Sequence, residues 1–123
     1  MAVLHSKEHV SESRASIPRM EWPEFLRFFT RRHQGAPVWI ESRDALSGKA
    51  VSLDNLPLID ASLDSADPAA PKIEITVKAK TRDIRFTALN PHRMMFSTRQ
   101  DDHDEALIVE SPGSSIKIGR AHV

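Results

Sequence analysis

The chain has 123 residues, enough for one hydrophobic core and too few for two, so we expect a single domain. Its 17 basic residues balance 17 acidic residues, and the net charge therefore gives no general reason to favour a nucleic acid or a membrane surface as partner. The absence of cysteine excludes disulfides, thiolate catalysis and sulfur-ligated zinc.

The beginning of the sequence carries no signal for export or membrane insertion. Residues 1–16 are polar, lack periodicity and have no apolar stretch of the kind found in a secretory signal. No run elsewhere approaches the roughly 20 apolar residues needed to cross a bilayer. We therefore predict a disordered tail at residues 1–16, a single domain at residues 17–123, and a cytoplasmic location without a membrane partner.

An amphipathic helix is predicted to begin near Trp22. Pro23 suits the first turn of a helix, because its fixed φ is helical and its missing N–H would have no partner there. Five residues recur at the spacing of one helical face: Trp22, Phe25, Leu26, Phe29 and His33. Because a helix of about twelve residues is marginal alone in water, it must gain most of its stability by burying this face.

The rest of the chain has the pattern of short strands separated by turn signals. Residues 72–79 and 82–88 alternate strictly between apolar and polar, and their short link predicts a hairpin, whereas Asp54 and Asn55 are interpreted as a connection. The links are too short for the crossover helices that parallel strands require. We predict an α+β fold in which one N-terminal amphipathic helix packs on a six- to seven-stranded antiparallel meander sheet, with a partly open barrel as one form of that sheet.

Trp39 has two interpretations. It lies in a predicted strand at residues 37–42, on the face opposite Val38 and Ile40. It either covers the second face of the sheet or forms the exposed aromatic group of a binding surface, and the first is favoured because large aromatic side chains are mostly buried.

Five motifs in a fixed order resemble a family of small bacterial proteins known only as a domain of unknown function. The motifs are Ile17-Pro18 followed by Trp22, the aromatic helix ending in His33-x-Gly35, Leu56-Pro57-Leu58, Asn90-Pro91, and Glu105-Ala106-Leu107-Ile108-Val109-Glu110. The resemblance covers roughly residues 17–120. It implies a compact, soluble bacterial domain and brings no activity, cofactor or site residue with it.

Basic residues are concentrated in the second half of the chain. Residues 72–99 hold seven basic and two acidic side chains, while residues 101–110 hold five acidic and no basic ones. Four of the basic residues are candidates for a polyanion-binding strip on adjacent strands: Lys72, Lys78, Arg85 and Arg93. The alternative is a solvated sheet face whose charges are neutralised by acidic side chains across the strands.

Histidine and carboxylate residues give only weak indications of chemistry. Asp101, His103 and Asp104 have the ligand types of a divalent-metal site, but neighbouring residues cannot all point at one ion, so a solvated loop is the favoured interpretation. His33 is expected to be a helix cap or a core histidine. His92 lies in a turn without a nucleophile motif. No catalytic or cofactor-binding residue and no cofactor is predicted.

Three functions remain open from the sequence. The favoured hypothesis is a small non-enzymatic binding or assembly module that forms homo-oligomers through its sheet edges. The second is a nucleic-acid-binding, Sm-like barrel that uses the basic strip, by analogy of element order alone. The third and least favoured is an enzyme, a metal-assisted hydrolase that uses His92 or His103 with the acidic loop.

Overall fold

The computed structural model describes residues 13–98 and 105–121 of the chain. A single 3-10 turn, Arg19–Glu21, leads into the helix. The helix and the eight strands of the described residues are β1 (Ser13–Ser16), α1 (Trp22–His33), β2 (Pro37–Asp44), β3 (Lys49–Asp64), β4 (Lys72–Lys78), β5 (Asp83–Leu89), β6 (Arg93–Thr98), β7 (Glu105–Ser111) and β8 (Ser114–Arg120).

The strands form one antiparallel sheet in the order β1-β6-β7-β8-β2-β3-β4-β5. The strands at its two ends, β1 and β5, do not pair with each other, so the sheet of the described residues is open. The α+β class and the antiparallel pairing agree with the sequence prediction.

Four details of the prediction differ from the structure of the described residues. The sheet has eight strands rather than six or seven, and it is not a simple meander, because β8 returns to pair with β2 and β1 pairs with β6. The helix is not the first element, because β1 precedes it. The predicted tail includes Ser13–Ser16, but this segment forms a strand by pairing with β6; residues 1–12 lie outside the described residues.

Strand β3 is 16 residues long and changes partner along its length. Its first part pairs with β2 as far as Pro57, and its second part pairs with β4 from Leu58 onward. Asn55 has a φ of 62°, a left-handed conformation that asparagine adopts more readily than most residues. The predicted connection at Asp54 and Asn55 is therefore a bend within one continuous strand. This bend curls the sheet, so that β5 lies against β7 and β8.

The apolar face of α1 covers the curled sheet, as its periodicity predicts. Trp22, Leu26, Phe29 and His33 are buried, and Phe25 is half-buried. Thr30 joins this face: its hydroxyl donates to the carbonyl oxygen of Ala61 at 3.0 Å and accepts from the amide of Ala61 at 3.1 Å. These two hydrogen bonds attach the middle of the helix directly to β3.

The structure favours the first interpretation of Trp39, as a cover for the second face of the sheet. Trp39 is half-buried and lies over Gly119 of β8, its register partner. A Cβ atom at position 119 would lie 2.6 Å from Trp39 Cζ2 and 2.7 Å from the carbonyl oxygen of Glu105. Glycine is therefore required at this point because a ring and a neighbouring strand both approach the backbone closely.

We predict that Gly119→Ala destabilises the protein by about 2 kcal/mol or more, because the new methyl group would have to displace both an indole ring and backbone. Chemical denaturation measures the loss. The matched control is Lys117→Ala, which removes an exposed side chain from the same strand and should change the free energy of unfolding by less than about 0.5 kcal/mol. Equal stability of the two variants would contradict the packing described here.

Candidate functional site

The free edge of the sheet at β5 is the first candidate site. One side of β5 pairs with β4 over its full length, from Lys72 opposite Leu89 to Lys78 opposite Asp83. The other side has no strand partner among the described residues. The backbone N–H and C=O groups on that side form a template to which another strand can add.

The side chains of β5 alternate regularly along this edge. Ile84 and Phe86 are half-buried and Ala88 is buried, whereas Arg85, Thr87 and Leu89 are exposed. Leu89 is 64% exposed. The strand contains no proline, glycine or lysine and pairs with β4 without a bulge, so it lacks most of the devices that discourage edge-to-edge pairing.

Of the two strands at the ends of the sheet, β1 is the poorer template. It has four residues within the described part of the chain, and Pro18, which cannot donate a hydrogen bond, lies two residues beyond its end. A strand of about five or six residues is usual in globular proteins. The seven residues of β5 therefore make it the better edge for association.

The structure places the four residues of the predicted basic strip at three separate positions of the sheet. Lys72 and Arg85 lie together around Glu74, with side-chain nitrogens 3.7 and 3.9 Å from its carboxylate. Lys78 is at the far end of β4, about 20 Å from Lys72 by strand rise. Arg93 is on β6, which four strands separate from β4 in the sheet order, and its Nε donates to Glu110 at 2.9 Å.

A cluster of four polar side chains, which we call the helix-end cluster, forms where α1 meets β7 and β8. It consists of Arg32, His33, Glu105 and Arg120, and it lines a cleft of about 330 Å³. Arg32 binds the carboxylate of Glu105 with two nitrogens, at 2.8 and 2.7 Å. Arg120 also donates to the carbonyl oxygen of Arg32 at 3.3 Å.

The hydrogen bonds of the cluster fix the tautomer of His33. Arg120 Nε can only donate, and it lies 3.2 Å from His33 Nδ1, so Nδ1 is the acceptor. Nε2 therefore carries the hydrogen and donates it to Glu105 Oε1 at 3.1 Å. The His33 side chain is only 4% exposed, in agreement with the prediction of a core histidine.

The surroundings shift two pKa values in the cluster. Burial lowers the pKa of His33 below 6.5, and the nearby Arg120 and Arg32 charges add to this, although the hydrogen bond to Glu105 opposes it. Burial by itself would raise the pKa of Glu105, but the hydrogen bond and charge of Arg32, helped by His33, outweigh it and lower that pKa. The native state therefore holds a neutral imidazole beside a carboxylate.

This arrangement favours a structural role over a catalytic one. Both ring nitrogens of His33 are occupied, and the Glu105 carboxylate accepts from Arg32 and His33 at once. No free base or nucleophile is left within the cluster. The cluster attaches the C-terminal end of α1 to the first residue of β7 and the last residue of β8.

The sequence contains no local signal for this cluster. Arg32 and Glu105 are 73 positions apart, and His33 and Arg120 are 87 positions apart. Which residues meet over such distances depends on the strand order.

The predicted metal ligands Asp101, His103 and Asp104 lie outside the described residues. Within the described ranges, no group of three or more histidine or acidic side chains is placed to hold a metal ion. His92 is exposed in the loop before β6, where its amide donates to the carbonyl oxygen of Glu110 at 2.8 Å.

Comparison with known proteins adds no family or function. No protein-family model, curated protein or solved structure matches the chain. The resemblance to a bacterial family therefore stays a prediction from five sequence motifs. Over residues 13–98 and 105–121, the structure has no helix long and apolar enough to span a bilayer.

We predict that His33→Gln flattens the dependence of stability on pH. Because the native pKa of His33 is lowered, the unfolded chain takes up a proton below pH 6.5 that the native protein does not, so stability falls as the pH falls. Glu105 adds a second loss of stability below about pH 4.5, its ordinary pKa, because its native pKa is also lowered. Urea denaturation between pH 7 and 5 measures the loss of stability due to His33. Uptake of one proton changes the free energy of unfolding by at most about 1.4 kcal/mol per pH unit.

The control for this experiment is His92→Gln, which removes an exposed histidine outside the cluster. It should keep the pH dependence of the original protein. An unchanged slope in His33→Gln would show that the neutral imidazole is not the source of the acid sensitivity.

Proposed function

We propose that the protein is a non-enzymatic assembly module whose copies associate through strand β5. The observation that carries the proposal is the regular, bulge-free strand Asp83–Leu89 at the open end of the sheet. A second copy of the chain offers the same edge, so the two can form an isologous, antiparallel contact about a two-fold axis.

The sequence of β5 is self-complementary in one register. When the axis passes through Phe86, all seven residues have partners: Phe86 faces Phe86, Ile84 faces Ala88, and Arg85 faces Thr87 of the other copy. The inward, apolar side chains then continue one face across the dimer, and the exposed parts of Ile84 and Phe86 are covered. Other registers that preserve the two faces leave more of the strand unpaired.

A bacterial origin, a cytoplasmic location and a partly open barrel belong to the same proposal. The first rests on the five sequence motifs, and the second on the soluble bacterial domain that the same motifs imply. The third is supported by the bend of β3 and by the position of β5 against β7 and β8.

The nucleic-acid alternative has less support. Lys72 and Arg85 have carboxylates within 4 Å, and Arg93 lies on a distant strand with its own acidic partner. A continuous strip of unpaired cations, which would follow a phosphate backbone, is not formed by these four residues. We therefore favour assembly.

We predict that opposite charges at Thr87 shift dimerisation in opposite directions. Thr87→Arg places a cation opposite Arg85 of the partner copy at two symmetric positions and should weaken the dimer about fivefold. Thr87→Glu should strengthen it by a similar factor, because each exposed cross-strand pair contributes about 0.5 kcal/mol. Glu74, opposite Thr87 in the same chain, acts in the monomer and the dimer alike.

Sedimentation equilibrium at low and high salt measures the dissociation constants, and added salt should shrink both effects. Glu41→Gln is the matched control, since it raises the net charge by the same one unit at an exposed position of β2, which has strand partners on both sides. A monomer at every concentration, or an equal effect of the arginine and glutamate variants, would contradict association through β5 in this register.

A further inference from the structure

The face of α1 that points away from the sheet carries a shallow groove of about 510 Å³. The residues that line it belong to the helix and to the turn before it: Glu21, Glu24, Phe25, Arg27, Phe28 and Arg31. They recur at spacings of three, four and seven, so they share one side of the helix. We infer that this helix groove is a self-association surface, at which α1 of one copy packs antiparallel on α1 of a second copy.

Two phenylalanines form the apolar centre of the helix groove. Phe28 is 43% exposed, and Phe25 is half-buried. Their ring centroids are 5.6 Å apart, and Phe25 also makes an edge contact with Phe96 of β6 at 5.0 Å. The exposed ring is therefore part of an aromatic cluster that is attached to the core. Aromatic side chains held in this way are the usual anchors of protein interfaces.

The charges of the helix groove change sign at its middle, which is the level of Leu26. Glu21 and Glu24 precede this level, and Arg27 and Arg31 follow it. Within the described part of the chain, Glu21 and Arg31 have no ion pair. Glu24 and Arg27 approach each other only to 3.9 Å, and both side chains are exposed. All four charges are therefore available to a partner.

A second copy of the chain matches this charge pattern when the two helices run in opposite directions. With a two-fold axis at the level of Leu26, Glu21 lies opposite Arg31 of the other copy. Glu24 lies one residue from the level of the other Arg27, and the phenylalanine pairs of the two copies meet near the axis. A parallel arrangement would instead place like charges side by side. The charge complementarity therefore favours a second copy as the partner.

The contact at the helix groove is small. A helix of 12 residues is about 18 Å long, so the buried area is that of a weak, transient interface. It shares no residue with the β5 edge. The inference extends the proposed assembly without depending on the β5 contact. If both two-fold contacts form, copies are linked in alternation and the assembly grows beyond a dimer.

The test begins with amide-resolved NMR of the full chain from low micromolar to millimolar concentration. Concentration-dependent shifts should appear along residues 21–31, and Phe28→Ser should weaken this association about tenfold. Leu46→Ser is the matched control, since it removes a leucine that is 90% exposed in the turn between β2 and β3. Thr87→Arg, which acts on the β5 edge, should leave the α1 shifts unchanged, so failure of one contact is distinguished from failure of the other.

A division of the charges tests the antiparallel arrangement directly. Glu21→Arg with Glu24→Arg makes all four charges of the helix groove positive, and Arg27→Glu with Arg31→Glu makes all four negative. Each double variant alone should associate about tenfold more weakly through α1, whereas a mixture of the two should associate at least as tightly as the original chain. Added salt should weaken association in the mixture.

Three results would overturn the inference. The first is the absence of concentration-dependent shifts along α1, which would leave the helix groove to a different partner. The second is an equal loss of association in Leu46→Ser and Phe28→Ser. The third is a mixture of the two double variants that associates no more tightly than either alone.

Discussion

The structure depends on a change of partner within one strand of 16 residues: the first part of β3 pairs with β2, the second part pairs with β4, and the bend in β3 lies where the partner changes. Asn55 supplies the left-handed residue, and at Pro57, which lacks an N–H, the pairing passes from β2 to β4. The bend places Leu58 and Ala61 beneath α1, where the Thr30 hydroxyl bonds to the backbone of Ala61. Curvature, helix position and the enclosed core therefore depend on one local feature.

In the curled sheet the two end strands differ from each other, and the two ends of the β7–β8 hairpin lie in different environments. At the start of β7, Glu105 accepts hydrogen bonds from Arg32 and His33, and Arg120 completes the set. At its other end, the hydroxyl of Ser111 is buried without a hydrogen-bond partner among the described residues. Buried polar groups whose hydrogen bonds are all formed stabilise a fold, while a buried polar group without a hydrogen-bond partner lowers its stability. The two ends of the β7–β8 hairpin therefore differ in how completely their polar side chains are satisfied.

The sequence predicts best what depends on short-range periodicity. The buried face of α1 follows from the spacing of Trp22, Leu26 and Phe29, and β4 and β5 follow from strict alternation, with bounds within one residue. The sequence does not predict structure that depends on long-range pairing. Ser13–Ser16 has no strand pattern and is extended because it pairs with β6. The free edge could not be identified either, since β5 alternates as a central strand would. The helix-end cluster required the strand order, which periodicity does not contain.

The pairing of β2 with β8 also determines the order in which the structure is completed. Asp44 pairs with Ser114, so the centre of the sheet joins an early segment of the chain to a late one. During synthesis, β2 can pair with β3 at once, but its other edge stays unpaired until residues 114–120 have emerged from the ribosome. Contacts between such distant segments slow folding. The most central part of the finished sheet is therefore the last to be protected from pairing with a neighbouring nascent chain.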